Sequence, residues 1–168
     1  MGKTVLIYGS TTGNTENAAK KIAKKLSDKD LTLIDVSKLK SASELDGYAG
    51  FILGTSTTGY GELQEDWDSF LSELTKANLA GKKAALFGLG DSASYPETFA
   101  DGMGFIYDAL VEAGATIVGQ VETDGYEYDD STAVRNGKFV GLALDEDNED
   151  DKTDERIDAW LEVIKDVF

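Results

Sequence analysis

The chain has 168 residues, 41% hydrophobic and 29% charged, which suits one folded domain with a sizeable core; no apolar run approaches the length of a bilayer span. It contains no cysteine and no histidine, which excludes disulfides, thiolate metal sites, cysteine nucleophiles and imidazole acid–base chemistry. A net charge of −16 repels nucleic acid and anionic membranes and favours docking against positively charged protein surfaces.

The opening Met1-Gly2-Lys3 carries no signal-peptide pattern, so a cytoplasmic address is expected. A β-branched run, Thr4–Tyr8, predicts the first strand. Ala18, Ile22, Ala23 and Leu26 then recur at helical spacing, with Lys20, Lys21, Lys24 and Lys25 outside. Strands are predicted at Leu31–Asp35 and Gly50–Gly54. A helix is predicted over Glu62–Leu74, with Leu63, Trp67, Phe70, Leu71 and Leu74 on one face. A fourth strand follows at Ala84–Gly88, then a helix from Phe99 to Ala113, and a fifth strand begins at Thr116–Val118. Residues 119–138 break this rhythm and read as an insertion in the fifth strand, which resumes over Phe139–Leu144. A last helix is predicted from Asp154 to Val167.

Short apolar strands alternating with amphipathic helices predict an α/β fold. The expected architecture is a doubly wound five-stranded parallel sheet, order 2-1-3-4-5, with helices on both faces and one domain over residues 1–168.

The first strand ends in Gly9-Ser10-Thr11-Thr12-Gly13-Asn14-Thr15-Glu16, and a helix opens near Asn14. A helix N-terminus offers unpaired N–H groups and partial positive charge. Hydroxyls on Ser10, Thr12 and Thr15 add donors, and Gly13 permits close backbone approach, so the loop suits a phosphate. One capping residue would serve the helix alone, and this loop holds several. Neither a P-loop nor a dinucleotide fingerprint fits, since the first needs a terminal Lys-Ser/Thr and the second three spaced glycines.

Two more polar, glycine-bearing loops follow strands three and four, at Thr55–Leu63 and Leu89–Tyr95. Ligands bind at strand C-termini in this architecture, and a flat aromatic ligand stacked on Tyr95 suits the space between the loops.

Together these loops resemble the flavodoxins. The matching stretches are Ser10–Glu16, Gly54–Thr57, Gly61–Gln64 with Asp66-Trp67, Phe87–Asp91 with Tyr95, Ala133–Asn136, and Phe139–Asn148. The resemblance covers nearly the whole chain, and the insertion matches the long-chain type. It implies one non-covalent FMN. On that pattern Ser10, Thr11, Thr12, Gly13, Asn14 and Thr15 hold the phosphate. Ser56, Thr57, Thr58, Gly59 and Gly61 lie along one face and edge of the ring. Leu89, Gly90, Asp91, Tyr95 and Phe99 line the other side, with Tyr95 stacked, and Asp147 meets the ribityl chain. Many members carry tryptophan where Thr58 stands, which leaves less contact on that face.

The resemblance implies a low-potential one-electron carrier, with no catalytic residue and no metal. Carboxylates such as Asp91 and Glu62 near the ring disfavour added negative charge. Expected partners are basic surfaces of redox proteins: a flavodoxin reductase or oxidoreductase as donor and a reductive enzyme as acceptor. A monomer is the default.

An FMN-dependent quinone or NAD(P)H oxidoreductase on the same fold is the alternative, and the insertion would then have to complete a substrate pocket. A signalling receiver domain shares the strand order but needs an aspartate where Gly54-Thr55-Ser56 stand. The acidic run from Asp145 departs from an EF-hand, with Asp150 sixth and Arg156 twelfth in place of glycine and glutamate.

Overall fold

The structure is a computed structural model and describes residues 2–168. Its central parallel sheet contains β1 (Thr4–Gly9), β2 (Leu31–Asp35), β3 (Gly50–Thr58) and β5 (Lys83–Leu89), in the order β2-β1-β3-β5. A two-residue strand, β4 (Glu62–Leu63), folds back antiparallel on the end of β3. The fifth position is shared by two short strands. β6 (Thr116–Val118) pairs with the first half of β5, and β10 (Leu142–Leu144) pairs with its second half. The expected order therefore holds, and the interruption of the fifth strand falls where the insertion was read.

Successive residues of each strand face opposite sides, and both sides are covered. Val5, Ile7, Phe51, Leu53 and Leu86 meet α2 (Glu65–Lys76) and α3 (Gly102–Glu112) in one core. Leu6, Tyr8, Ile52 and Phe87 meet α1 (Asn14–Lys25) and α5 (Thr153–Ile164) in the other. This two-sided burial explains why the strands read as continuous apolar runs. Gly54 is required at its place because a Cβ there would enter the ring of Phe87, its partner in register on β5.

Three helix boundaries differ from the sequence reading. Residues 62–63 pair with β3, and α2 starts at Glu65, because the Gln64 side chain accepts from the Trp67 amide at 3.1 Å and caps the helix. α3 starts at Gly102 rather than Phe99, because Ala100 has a left-handed backbone, φ 56°, that no helix continues through. α5 ends at Ile164, short of Val167.

The insertion carries secondary structure of its own. β7 (Val121–Glu122), β8 (Val134–Arg135) and β9 (Lys138–Phe139) form a small antiparallel sheet of order β7-β9-β8. A short helix, α4 (Glu146–Glu149), follows β10. No helix among the described residues is long and apolar enough to cross a membrane.

Candidate functional site

The C-terminal ends of β1, β3, β5 and β10 converge on one cleft of about 340 Å³. That volume lies in the range of small-molecule sites. Thr12 and Asn14 enter from the β1–α1 loop, Ser56 and Thr57 from the end of β3, and Gly59 from the following loop. Leu89, Gly90, Asp91 and Tyr95 line it after β5, and Asp147 closes it from α4.

At the α1 end, Gly13 occupies the N-cap position with φ 101°, and no side chain caps the helix. Its first-turn amides therefore keep their donors for something else. The Ser10 Oγ accepts from the Gly13 amide at 3.1 Å and folds the loop back on itself. Thr15 is buried, and its hydroxyl has no partner. A buried, unpaired hydroxyl costs roughly 1–3 kcal/mol, which an acceptor bound at this loop would offset. The residues present therefore fit a phosphate group. No lysine or arginine stands in Ser10–Glu16, and Lys20 on the next turn is held by Glu16 at 3.1 Å.

The other end is acidic. One carboxylate oxygen from each of Asp91, Asp145 and Asp147 lies within 4.8 Å of the others. Asp145 is fully buried and accepts from the Ser92 hydroxyl at 2.5 Å and the Asn148 amide at 3.2 Å. Burial opposes the charge on Asp91, yet hydrogen bonds from the Ser94 amide and the Asn148 side chain outweigh it and hold that carboxyl below its ordinary range. Asp147 has no such donors. Burial, and then the charges of Asp91, Asp145 and Glu146, push its carboxyl up. At the cleft mouth Tyr95 meets the exposed Tyr60 edge to face, with ring centroids 5.6 Å apart. Ser56 contributes a second buried hydroxyl without a partner.

Several expected site residues stand beside the cleft rather than on its wall. Thr11 accepts from the Gln64 side chain at 3.4 Å, and Thr58 donates to the Glu62 carbonyl at 3.3 Å. Gly61 packs against Thr98 and Asp101. Phe99 also stands behind the wall, next to Gly90. Its ring is buried in the core, stacked on Tyr128 at 5.7 Å, because it joins an aromatic cluster with Tyr126 and Phe139 from the insertion side. Two wall residues went unread in the sequence, Thr98 and Glu146. Thr98 was signalled only by standing in the same loop as Tyr95, and Glu146 only by adjoining Asp147.

The sequence model of the Flavodoxin family matches residues 6–160. The chain belongs to the flavodoxin family. It is 46% identical to the flavodoxin of Trichodesmium erythraeum, covering 100% of this chain and 99% of that one. It is 45% identical to the flavodoxin of Helicobacter pylori over 100% of this chain and 99% of the other. Among solved structures, the Fusobacterium nucleatum flavodoxin bound to flavin mononucleotide superposes with a TM-score of 0.94 at 33% identity, covering 100% of this chain and 99% of that chain. Family membership accounts for a helix N-terminus, a polar cleft and a tyrosine meeting at the strand ends of a doubly wound sheet.

Proposed function

We propose that the chain, as one domain over residues 1–168, binds a single FMN without a covalent bond and carries electrons one at a time, at low potential, between redox partner proteins. The observation that carries the reading is the cleft itself: uncharged donors at the start of α1, including the orphaned Thr15 hydroxyl, run into a slot walled by Tyr95 and rimmed by carboxylates. FMN, when bound, supplies the redox chemistry, and the protein orients and tunes it.

Ser10, Thr11, Thr12, Asn14 and Thr15, with the first-turn amides of α1, would hold the phosphate, and Gly13 lets the backbone close on it. Ser56, Thr57, Thr58 and Gly59, with Gly61 behind them, would form one wall of the ring slot. Leu89, Gly90, Asp91, Thr98 and Tyr95 would form the other, and Asp147 would meet the ribityl chain. The carboxylates of Asp91, Asp145, Glu146 and Asp147 make added negative charge beside the ring unfavourable, which lowers the potential. No side chain has to act as an acid or base, in keeping with a carrier rather than a catalyst. The acidic rim suits docking, as a cytoplasmic monomer, against basic patches on a reductase and an acceptor, with association that slows as salt rises.

An absorbance spectrum of the purified protein, before and after adding FMN, tests the reading. A yellow protein, or one that takes up one FMN per chain, supports it. A colourless protein that leaves added FMN free in solution overturns it.

A further inference from the structure

The insertion contributes no residue to the cleft wall, yet it grips the segment that does. The Asp129 and Asp130 amides both donate to the Pro96 carbonyl, at 2.7 and 3.0 Å. The Phe99 amide donates to the Asp130 carbonyl at 3.2 Å, and the Ser131 hydroxyl donates back to the Phe99 carbonyl. The Thr132 amide donates to the Asp101 carboxylate at 2.8 Å. All of these bonds fall on residues 96–101, between Tyr95 and the first turn of α3.

That segment is strained and needs holding. Ala100 is fully buried with φ 56°, a region that a side chain disfavours and that persists only where its surroundings dictate it. Asp101 stands at the N-cap of α3 but makes no side-chain bond to its own helix. The residue is 6% exposed, and its carboxylate is turned towards Thr132 instead. Burial pushes that carboxyl up, the Thr132 hydrogen bonds oppose the shift, and the Asp130 charge adds to it. A cap in solvent would hold the helix without this penalty, so the buried arrangement has another role. The same carboxylate lies against Gly61, where a Cβ would sit 2.9 Å from Oδ2. Phe99 wedges between Tyr128 of the insertion and Gly90, where a Cβ would meet its Cδ1 at 2.8 Å. Insertion, strained junction and both sides of the ring slot are therefore one packed unit.

We propose that the insertion is a clamp that fixes the Tyr95–Thr98 wall of the cleft, with Asp101 as its positioning residue. It rests on the FMN reading, because the wall matters through the ring it would stack on. Clamped, the wall is ordered before ligand arrives; unclamped, ordering it would be charged against affinity.

The test compares wild type with Asp101→Ala, Asp101→Asn and Ser131→Ala. FMN and riboflavin are titrated separately, read by flavin fluorescence, and amide hydrogen exchange is followed over residues 92–99 in flavin-free protein. Asp101→Ala should raise both dissociation constants by the same factor, about tenfold, leaving their ratio unchanged, because the phosphate end is untouched. Exchange over residues 92–99 should quicken. Asp101→Asn keeps an acceptor for the Thr132 amide and should stay within about twofold of wild type. Should Asp101→Ala fail to fold, Ser131→Ala carries the test, with a change of about threefold in the same direction. Unchanged affinities with unchanged exchange at residues 92–99 overturn the clamp, as does a fall in melting temperature alone. If wild type takes up neither flavin, the FMN reading fails, and the exchange comparison still decides whether the clamp exists.

Discussion

The two ends of the cleft are built in opposite ways. The phosphate end is a single continuous run, Ser10–Glu16, folded on the N-terminus of one helix, and it has neither lysine nor arginine. The ring end draws on the ends of β3, β5 and β10, on α4 and, through residues 96–101, on the insertion. One end is local and made of neutral donors; the other is non-local and ringed by carboxylates. The difference teaches a division of labour. On the proposed reading, neutral donors would hold the phosphate, and the acid rim would lower the potential and face partners.

The sharpest way to break this division is to remove donors at the local end alone. Thr12→Ala combined with Thr15→Val should weaken FMN binding about a hundredfold and leave riboflavin binding within about twofold. Fluorescence titration with both flavins checks it, and equal losses for both would merge the two ends into one. The Thr15→Val change alone should leave flavin-free protein as stable as wild type or about 1 kcal/mol more stable, since it removes an orphaned hydroxyl. Thermal unfolding reads that sign.

At the ring end, Tyr95→Ala should weaken FMN and riboflavin alike, by about tenfold, because stacking serves the ring and not the phosphate. A loss confined to FMN would contradict the assignment of Tyr95 to the ring.

The smallest expected effect is that of Asp147→Asn. Its carboxyl is pushed up in the folded protein by burial and by Asp91, Asp145 and Glu146. A raised carboxyl favours folding only while protonated, so that its ionisation opposes the fold as pH rises through the folded value. The variant should therefore melt slightly higher than wild type at pH 7, and the gain should vanish at acid pH, below the ordinary carboxylate range. With FMN bound it should also have a less negative potential. A lower melting temperature at neutral pH would mean that Asp147 is held by a favourable partner instead.

The same local and non-local split explains what could be read in advance. The parallel, doubly covered sheet followed from period and run length, since β1, β3 and β5 are buried on both faces, and its order from the architecture that five such strands suit. The phosphate loop followed from its residues because all its parts are adjacent in sequence. At the ring end the two polar loops and Tyr95 were legible from the residues, and the individual wall positions only by resemblance. Phe99 was drawn to the site by its position, yet Tyr126, Tyr128 and Phe139 pull its ring into the core. Thr98 lies on the wall two residues before Ala100, whose left-handed backbone no propensity announces. Gln64 moved the start of α2 by capping the Trp67 amide, and the short pairing of Glu62–Leu63 on β3 has no periodicity to betray it. The insertion was visible as a break, while its hydrogen bonds to residues 96–101 depended on contacts across about thirty residues of chain.

The most direct test titrates wild-type, flavin-free protein with FMN and with riboflavin side by side, reading the affinity of each. Tight uptake of one FMN per chain, with riboflavin bound at least about a hundredfold more weakly, is the result predicted for an anion gripped by neutral donors on α1. Equal affinity for the two flavins, or uptake of neither, would contradict it.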